Sequence, residues 1–334
     1  VWRALAGSPE SEFSEGVLAL AQQLSAQHHF FHWKLEFPEV FAKGGFDCVL
    51  GNPPWDRIKL QEIEFFAARD PAIARARNAA ERTHMIENLQ HGDDADKALY
   101  NEFISARRNA EASSLFVHTS ADSGGRYPLS GVGDVNLYAL FAELFLYLRE
   151  PKNGRSGLIV PSGIATDDST KDFFGAISRK GLLVSLYDFE NRNAIFPDVH
   201  RSYKFCLLTM GAALIADFAF FLTSVEQLGD ERRHFSLSPE DFELLNPNTY
   251  TCPVFRSQKD AEITRKIYKS VPILIREVNK DKESHKINPW DIAFRQGLFN
   301  MTSDSAFFHT SSAPGLMPLY EAKLIHQFDH RWAT

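Results

Sequence analysis

The residues best equipped for chemistry in this 334-residue chain are Asn52, Pro53, Pro54 and Trp55. They directly follow a short apolar run, Phe46-Asp47-Cys48-Val49-Leu50-Gly51. That run reads as a buried strand delivering the tetrad to its C-terminal end, where open α/β sheets bind their ligands. The Asn52 side-chain oxygen and the Pro53 carbonyl are hydrogen-bond acceptors. Two consecutive prolines restrict the backbone, so both acceptors are held in place before any ligand arrives. Trp55 adds a flat face. Together they are suited to gripping an exocyclic NH2 group while an aromatic ring stacks on the ring that carries it. A plain Pro-Pro turn with a core tryptophan is the structural alternative, and the position directly after a strand weighs against it.

An adenine or cytosine amino group is a poor nucleophile because its lone pair is delocalised into the ring. Accepting hydrogen bonds from it favours the pyramidal, more nucleophilic form. Stacking on an aromatic ring contributes roughly 1–3 kcal/mol per base. A base inside a duplex cannot reach such a pocket and must be flipped out.

Composition sets the frame for these residues. The chain is 44% hydrophobic and 24% charged, which suits a globular protein of one large or two smaller domains. A net charge of -7 argues against a wholly basic nucleic-acid binder and leaves room for a local basic cleft. Cys48, Cys206 and Cys252 are widely spaced, so neither a disulfide framework nor a cysteine zinc site is expected. No apolar run approaches the roughly 20 residues of a membrane span. A soluble, cytoplasmic protein is expected.

Periodicity predicts the elements that position the tetrad. Residues 12–27 read as an amphipathic helix through Phe13, Val17, Leu18, Ala21 and Leu24. Phe30-Phe31-His32-Trp33 reads as a strand or strand end, and Gly44-Gly45 as the turn into the strand before the tetrad. Residues 57–113 read as a charged helical insertion carrying Arg69, Arg75, Arg77, Arg82, Arg107 and Arg108. These arginines form either a solvated surface balanced by acids or a DNA-backbone face. Asp134 is the expected N-cap of an apolar helix reaching Leu148. Leu158 to Pro161 and Leu182 to Phe189 read as strands, with a helix between them opened by Asp168 or Ser169. Tyr203 to Met210 and Ala216 to Leu222 read as a hairpin. Short helices are expected from Ser238-Pro239-Glu240 and from Asp260 to Ser270. The fold class is α/β, a partial Rossmann-like sheet with an antiparallel edge hairpin and a helical insertion. The expected domains are 1–222 (catalytic part), 223–285 (linker and helical segment) and 286–334 (start of a recognition region).

The stretch from Phe46 to Trp55 resembles motif IV of the amino-methylating, S-adenosylmethionine-dependent DNA methyltransferases. Other stretches agree. Asn136-Leu137-Tyr138-Ala139-Leu140-Phe141 and Gly157 to Gly163 resemble the helix and strand downstream of motif IV. Ile195-Phe196-Pro197-Asp198-Val199, running into Lys204 to Leu208, resembles motif VIII. Phe31-His32-Trp33, Phe37 to Phe41, and Pro318-Leu319-Tyr320-Glu321-Ala322-Lys323 are similar to the large type IIG/IIL-like restriction-modification or phage-defence branch. The resemblance implies N6-adenine methylation of double-stranded DNA in the gamma motif order. It assigns catalysis to Asn52, Pro53, Pro54 and Trp55, and base contact to Trp55 and Phe196, with Phe205 as the core alternative to Phe196. It implies S-adenosylmethionine as cofactor, possible defence subunits as partners, no metal, and a prokaryotic cytoplasm.

The chain departs from that family upstream of Asn52. No strand–glycine–helix unit for the cofactor precedes the tetrad, and no acidic residue occupies the expected neighbourhood, where Phe31-His32-Trp33 stands. The expectation is a fragment of a longer enzyme, inactive by itself, or a catalytically dead relative. A permuted cofactor site would need Ser114 to Thr119 as a strand before Gly124-Gly125 and Gly131-x-Gly133, and a lone G-x-G is a weak signature. His28, His29 and His32 cluster without a metal-binding partner pattern. Arg201 and Lys204 are candidate phosphate contacts. Cys48 is expected to be buried on its strand and to play no covalent part. The alternatives are a protein-glutamine or RNA N-methyltransferase, or a non-catalytic DNA-binding scaffold. The long stretch between the tetrad and the next strand favours the large DNA enzymes.

Overall fold

The computed structural model describes residues 15–280, 283–294, 297, 299–300, 303–311, 313–317, 319 and 326. Among them, six strands form one mixed sheet in the order β1-β2-β4-β3-β5-β6. The strands are β1 Cys48–Gly51, β2 Arg155–Pro161, β3 Leu183–Glu190, β4 Lys204–Met210, β5 Ala216–Leu222 and β6 His234–Leu237. β1 runs parallel to β2 and β3 parallel to β5, while β4 is antiparallel to both β2 and β3. The class is α/β, with antiparallel β4 inside the sheet and antiparallel β6 at its edge.

Two short-range readings fail here. Tyr203–Met210 and Ala216–Leu222 do not form a hairpin, because β3 lies between β4 and β5. The connection binds Gly211 N to Leu182 O and Ala213 N to Gly181 O at 2.9 and 2.8 Å, which carries the chain past the start of β3. The antiparallel edge is made by β5 with β6. The second failure is β1, which is an edge strand rather than a buried one. Cys48 is exposed, and Leu50 is 77% exposed. An apolar strand edge of this kind is a ready pairing surface.

One face of the sheet builds the main core. Leu158, Val160, Leu186, Cys206, Leu208 and Phe218 pack with Tyr138 and Ala142, with Phe173, Phe174 and Ile177, and with Phe242. Those partners come from helices Leu137–Leu148, Lys171–Arg179 and Pro239–Leu245. Each valine, leucine, isoleucine or phenylalanine among them contributes about 1.5–3 kcal/mol on full burial. The opposite face holds a smaller cluster centred on Phe189, Phe205, Ala219 and Leu222. The helical insertion runs through four helices from Glu62 to Val117 and has a core of its own, formed by Phe65, Phe66, Ile73, Ile86, Leu89 and Phe103.

Local helix signals hold where a cap defines them. Ser238 caps Pro239–Leu245 in a reciprocal box with Asp241, and Asp93 does the same for Asp94–Val117 with Asp96. Asp134 is not a cap. Helix Leu137–Leu148 starts after Asn136, and Asp134 instead pairs with Arg57 at 3.3 Å and Lys59 at 3.5 Å. Phe30 to Trp33 is not a strand: Trp33 begins the short helix Trp33–Glu36. Ser114 to Thr119 is not a strand either, since it closes the helix Asp94–Val117. The first described helix, Glu15–His28, forms as its periodicity predicts, yet Val17, Leu20 and Leu24 remain exposed. No described helix is long and apolar enough to cross a membrane.

A histidine clasp closes the sheet at β5 and β6. The His234 ring bonds Asp217 Oδ2 through Nδ1 at 2.8 Å and Leu228 O through Nε2 at 2.9 Å. Burial opposes the charged ring, but these two acceptors outweigh it and raise the His234 pKa above its ordinary 6.5. A raised folded pKa gives stability that is fully present below the unfolded pKa and lost as pH rises through the folded one. The melting-temperature difference between wild type and His234→Gln should therefore shrink as pH rises above 6.5. A difference that stays constant across that range would exclude the charged clasp.

The chain divides into a unit Val1–Ile287 and a unit Asn288–Thr334. In the first, Arg276–Lys280 and Glu283–Ile287 add a separate two-stranded ribbon. In the second, a short turn Ser305–Phe307 and an edge-on Phe299–Phe308 pair at 5.8 Å are described. Of the recognition-like stretch 318–323, only Leu319 lies within the described residues.

Candidate functional site

The sheet brings its chemistry to the carboxyl ends of β1, β2 and β3. Gly51 is the last residue of β1, and close packing dictates its identity. A Cβ there would lie 2.9 Å from the Phe145 ring of helix Leu137–Leu148. At the start of the strand, Gly45 adopts φ +136°, and a Cβ there would lie 2.6 Å from Leu148 O. The strand that presents Asn52 is therefore fitted against one helix at both ends.

After Gly51 the chain leaves the sheet through the tetrad. Pro53 is buried, Trp55 is half-buried, and Asn52 and Pro54 are exposed. Among the described residues, the Asn52 side chain and the Pro53 carbonyl have no hydrogen-bond partner. Neither acceptor is engaged within the described residues, and Asn52 is the exposed one of the two. Trp55 is fixed by its Nε1, which donates to Ile159 O on β2 at 3.3 Å. The exit from the tetrad is pinned as well: Leu137 N donates to Asp56 O at 2.9 Å, and Ile58 N to Val135 O at 3.3 Å. Val117, at the far end of the insertion, packs in one cluster with Ile58 and Val135, so both ends of the insertion lie near the tetrad.

Phe196 lies on the connection between β3 and β4, at the same end of the sheet. Trp55 and Phe196 pack against one cluster, built on Phe189 and Phe205. Phe196 meets Phe205 edge-on at 5.1 Å, and Phe205 stacks on Phe189 at 5.3 Å. Phe205 is buried in this cluster, whereas Phe196 keeps a solvent-facing part. Ser162, just after β2, donates to Asp188 Oδ1 on β3, and Phe221 N donates to Asp188 Oδ2 at 3.3 Å. Burial raises the Asp188 pKa, partly offset by these two donors. This bond ties the strands that flank β4 at the end carrying the site.

Two residues at this site escape a reading by motif. Asn191 is fully buried at the exit of β3 and bonds the Phe196 segment through its side chain. Its sequence context, one asparagine after a strand, carries no distinguishing signal. Glu143 is also fully buried and accepts bonds from Leu129 N, Ser130 N and Ser130 Oγ, the last at 2.6 Å. Its signal was available: it is the one charged residue in the apolar run from Leu137 to Leu148.

Glu143 also bears on the cofactor. The glycine-containing loop 121–134 follows a helix rather than a strand, and the Glu143 carboxylate already occupies its backbone amides at Leu129 and Ser130. That loop does not fit a cofactor cradle, and the described residues before β1 contain helices and no strand.

The cysteines offer no thiolate nucleophile in the core. Burial pushes the Cys206 and Cys252 thiols well above their ordinary range. Cys48, expected to be buried, is exposed on the edge strand. The insertion's arginines are largely engaged by neighbouring acids: Arg69, Arg77, Arg82 and Arg107 pair with Glu102, Glu81, Glu62 and Glu111. Arg75 and Arg108 form no ion pair among the described residues. Arg201 and Lys204 are exposed beside the Phe196 loop, with Arg201 donating to Arg192 O at 3.2 Å.

Known proteins resemble parts of this chain. The family model described as Eco57I restriction-modification methylase matches residues 7–106. No curated protein matches the chain. The type I restriction-modification methyltransferase subunit from Streptococcus thermophilus aligns at 16% identity and TM-score 0.31, over 41% of this chain and 35% of that one. The type IIG restriction endonuclease BpuSI aligns at 16% identity and TM-score 0.32, over 58% of this chain and 19% of that one. The chain therefore spans well under two thirds of either structure's own length. The stretch similar to the Eco57I restriction-modification methylase family, residues 7–106, holds the tetrad and most of the helical insertion.

Proposed function

We propose that this chain is the substrate-binding part of a DNA methyltransferase that methylates the N6 amino group of adenine. The observation that carries the reading is the pair of acceptors left unpartnered among the described residues, the Asn52 side-chain oxygen and the Pro53 carbonyl, next to Trp55. Asn52 and Pro53 accept the two N–H bonds of the amino group and orient its lone pair. Trp55 and Phe196, packed on the same aromatic cluster, hold the flipped ring. Extrusion from the duplex costs a few kcal/mol, which ring stacking and the two amino hydrogen bonds offset. No covalent bond between protein and base is needed, because the amino nitrogen is itself the nucleophile.

The methyl donor in this proposal is S-adenosylmethionine, the donor implied by a methylase family. The described residues hold no built site for it. The open edge of β1, with Leu50 bare, gives a further strand of the enzyme a place to pair. The partner is double-stranded DNA, with Arg201, Lys204, Arg75 and Arg108 as candidate phosphate contacts. The insertion supports a DNA substrate over protein glutamine or RNA: β1 ends at Gly51 and β2 begins only at Arg155, with a separately cored helical body between them.

The test is product identity. The enzyme containing this chain is incubated with duplex DNA and labelled S-adenosylmethionine, and the DNA is digested to nucleosides. N6-methyladenine is expected. Label in N4-methylcytosine, or label in protein or RNA alone, would overturn the proposal.

A further inference from the structure

We propose that Asn191 is a positioning residue for the base pocket: it sets the place of Phe196 by holding the peptide on both sides of it. The inference rests on the reading of Phe196 as a base contact. Asn191 is fully buried at the end of β3. Its Oδ1 accepts from Phe196 N at 2.9 Å, and its Nδ2 donates to Phe196 O at 2.9 Å and to Val199 O at 2.8 Å. Two N–H donors are all that an asparagine amide has, so the donor capacity is fully used. Bonding both the N–H and the C=O of residue 196 does what a neighbouring strand would do, and it does so where the chain has left the sheet.

The backbone completes the arrangement. Asn191 N donates to Tyr203 O at 2.8 Å and closes the base of the loop, and Ala194 N donates to Asn191 O at 2.9 Å. Ala194 takes the left-handed conformation, φ +55°, and so reverses the chain toward Phe196. The loop 192–202 is therefore suspended at its middle from one side chain. Without that side chain, Phe196 keeps its packing on the Phe205 cluster and the bond its carbonyl accepts from Val199 N at 3.2 Å, and loses every bond from its peptide to β3. A ring that must meet a flipped base needs a single place, and Asn191 supplies it.

Asn191→Asp tests this, because the shape and Oδ1 acceptor remain while both donors are lost. Three forms of the enzyme containing this chain are compared: wild type, Asn191→Asp and Phe196→Ala. Each is mixed with duplex DNA carrying 2-aminopurine at the target position, and the emission rise on binding is measured. Amide exchange at residues 196–199 is followed in parallel. Phe196→Ala should abolish the emission rise. Asn191→Asp should reduce it at least fivefold at unchanged DNA affinity, with a lowered melting temperature because a buried carboxyl group then faces the Phe196 and Val199 carbonyls. Amide protection at Phe196 and Val199 should fall while β3 and β4 stay protected. A full emission rise in Asn191→Asp, with the rise lost in Phe196→Ala, would overturn the positioning role alone. A full rise in Phe196→Ala would overturn the base-contact reading and this inference with it.

Discussion

Replacing Asn52 with alanine is expected to lower methyl transfer by about 100- to 1000-fold, the usual loss when one preorganised hydrogen-bonding group is removed from a reacting centre. The Asn52 side chain has no partner among the described residues, so its removal breaks nothing in the fold. Asn52 is also exposed, and its truncation leaves no cavity. DNA affinity should hardly change, because phosphate contacts supply most of it. The loss should therefore fall on kcat, with KM for DNA nearly constant. A variant that methylates at near wild-type rate would remove Asn52 from the chemistry. A rate loss matched by an equal loss of DNA affinity would make Asn52 a binding residue instead.

The largest effect on stability is expected from Phe66→Ala, at about 3–5 kcal/mol. Phe66 is fully buried and packs its ring against Phe65 at 5.0 Å and Phe103 at 5.2 Å. Alanine would leave a cavity that three short helices and one long helix cannot close without breaking their own packing. The damage should stay local. The insertion's core shares no residue with the clusters on either face of the sheet, and the chain enters and leaves it beside the tetrad. Hydrogen exchange should show protection lost over residues 62–117 and kept in β2, β3 and β4. Equal loss in the sheet would mean that insertion and sheet fold as one unit.

The two substitutions probe different levels of one arrangement. Asn52→Ala removes a group that makes no hydrogen bond among the described residues. Phe66→Ala removes one whose every contact is intramolecular. Only the first kind of residue is free to act on a ligand. That distinction separates the tetrad from the many phenylalanines of this chain, most of which fill cores.

What was legible in the sequence is what neighbouring residues decide. Asn52-Pro53-Pro54-Trp55 after an apolar run was readable because prolines act on their own backbone and because a short run of apolar residues makes a strand. Ser238-Pro239 marked a helix start because a cap bonds within its own turn. The apolar helix before β2 was readable from its periodicity, although its first residue was not, since Asp134 found a tertiary use with Arg57 and Lys59. The pairing of β4 was not readable. A short connection looks like a hairpin in sequence, and only competition among all strands placed β3 between β4 and β5. The exposure of β1 was equally hidden, because an apolar run has the same composition at an edge as in the middle of a sheet.

By itself, then, the sequence determined that a rigid acceptor pair and an aromatic ring follow a strand, and that a charged helical body follows them. The tertiary structure alone decided what surrounds them. It packed Trp55 and Phe196 on one aromatic cluster, although 140 positions separate them in the chain. It left the Asn52 amide unpaired among the described residues, buried Asn191 under the Phe196 loop, and turned Glu143 into the anchor of the glycine-containing loop. The physical reason is range: backbone restriction and capping act within a few residues, whereas burial and the pairing of buried polar groups depend on segments that meet only in the folded chain.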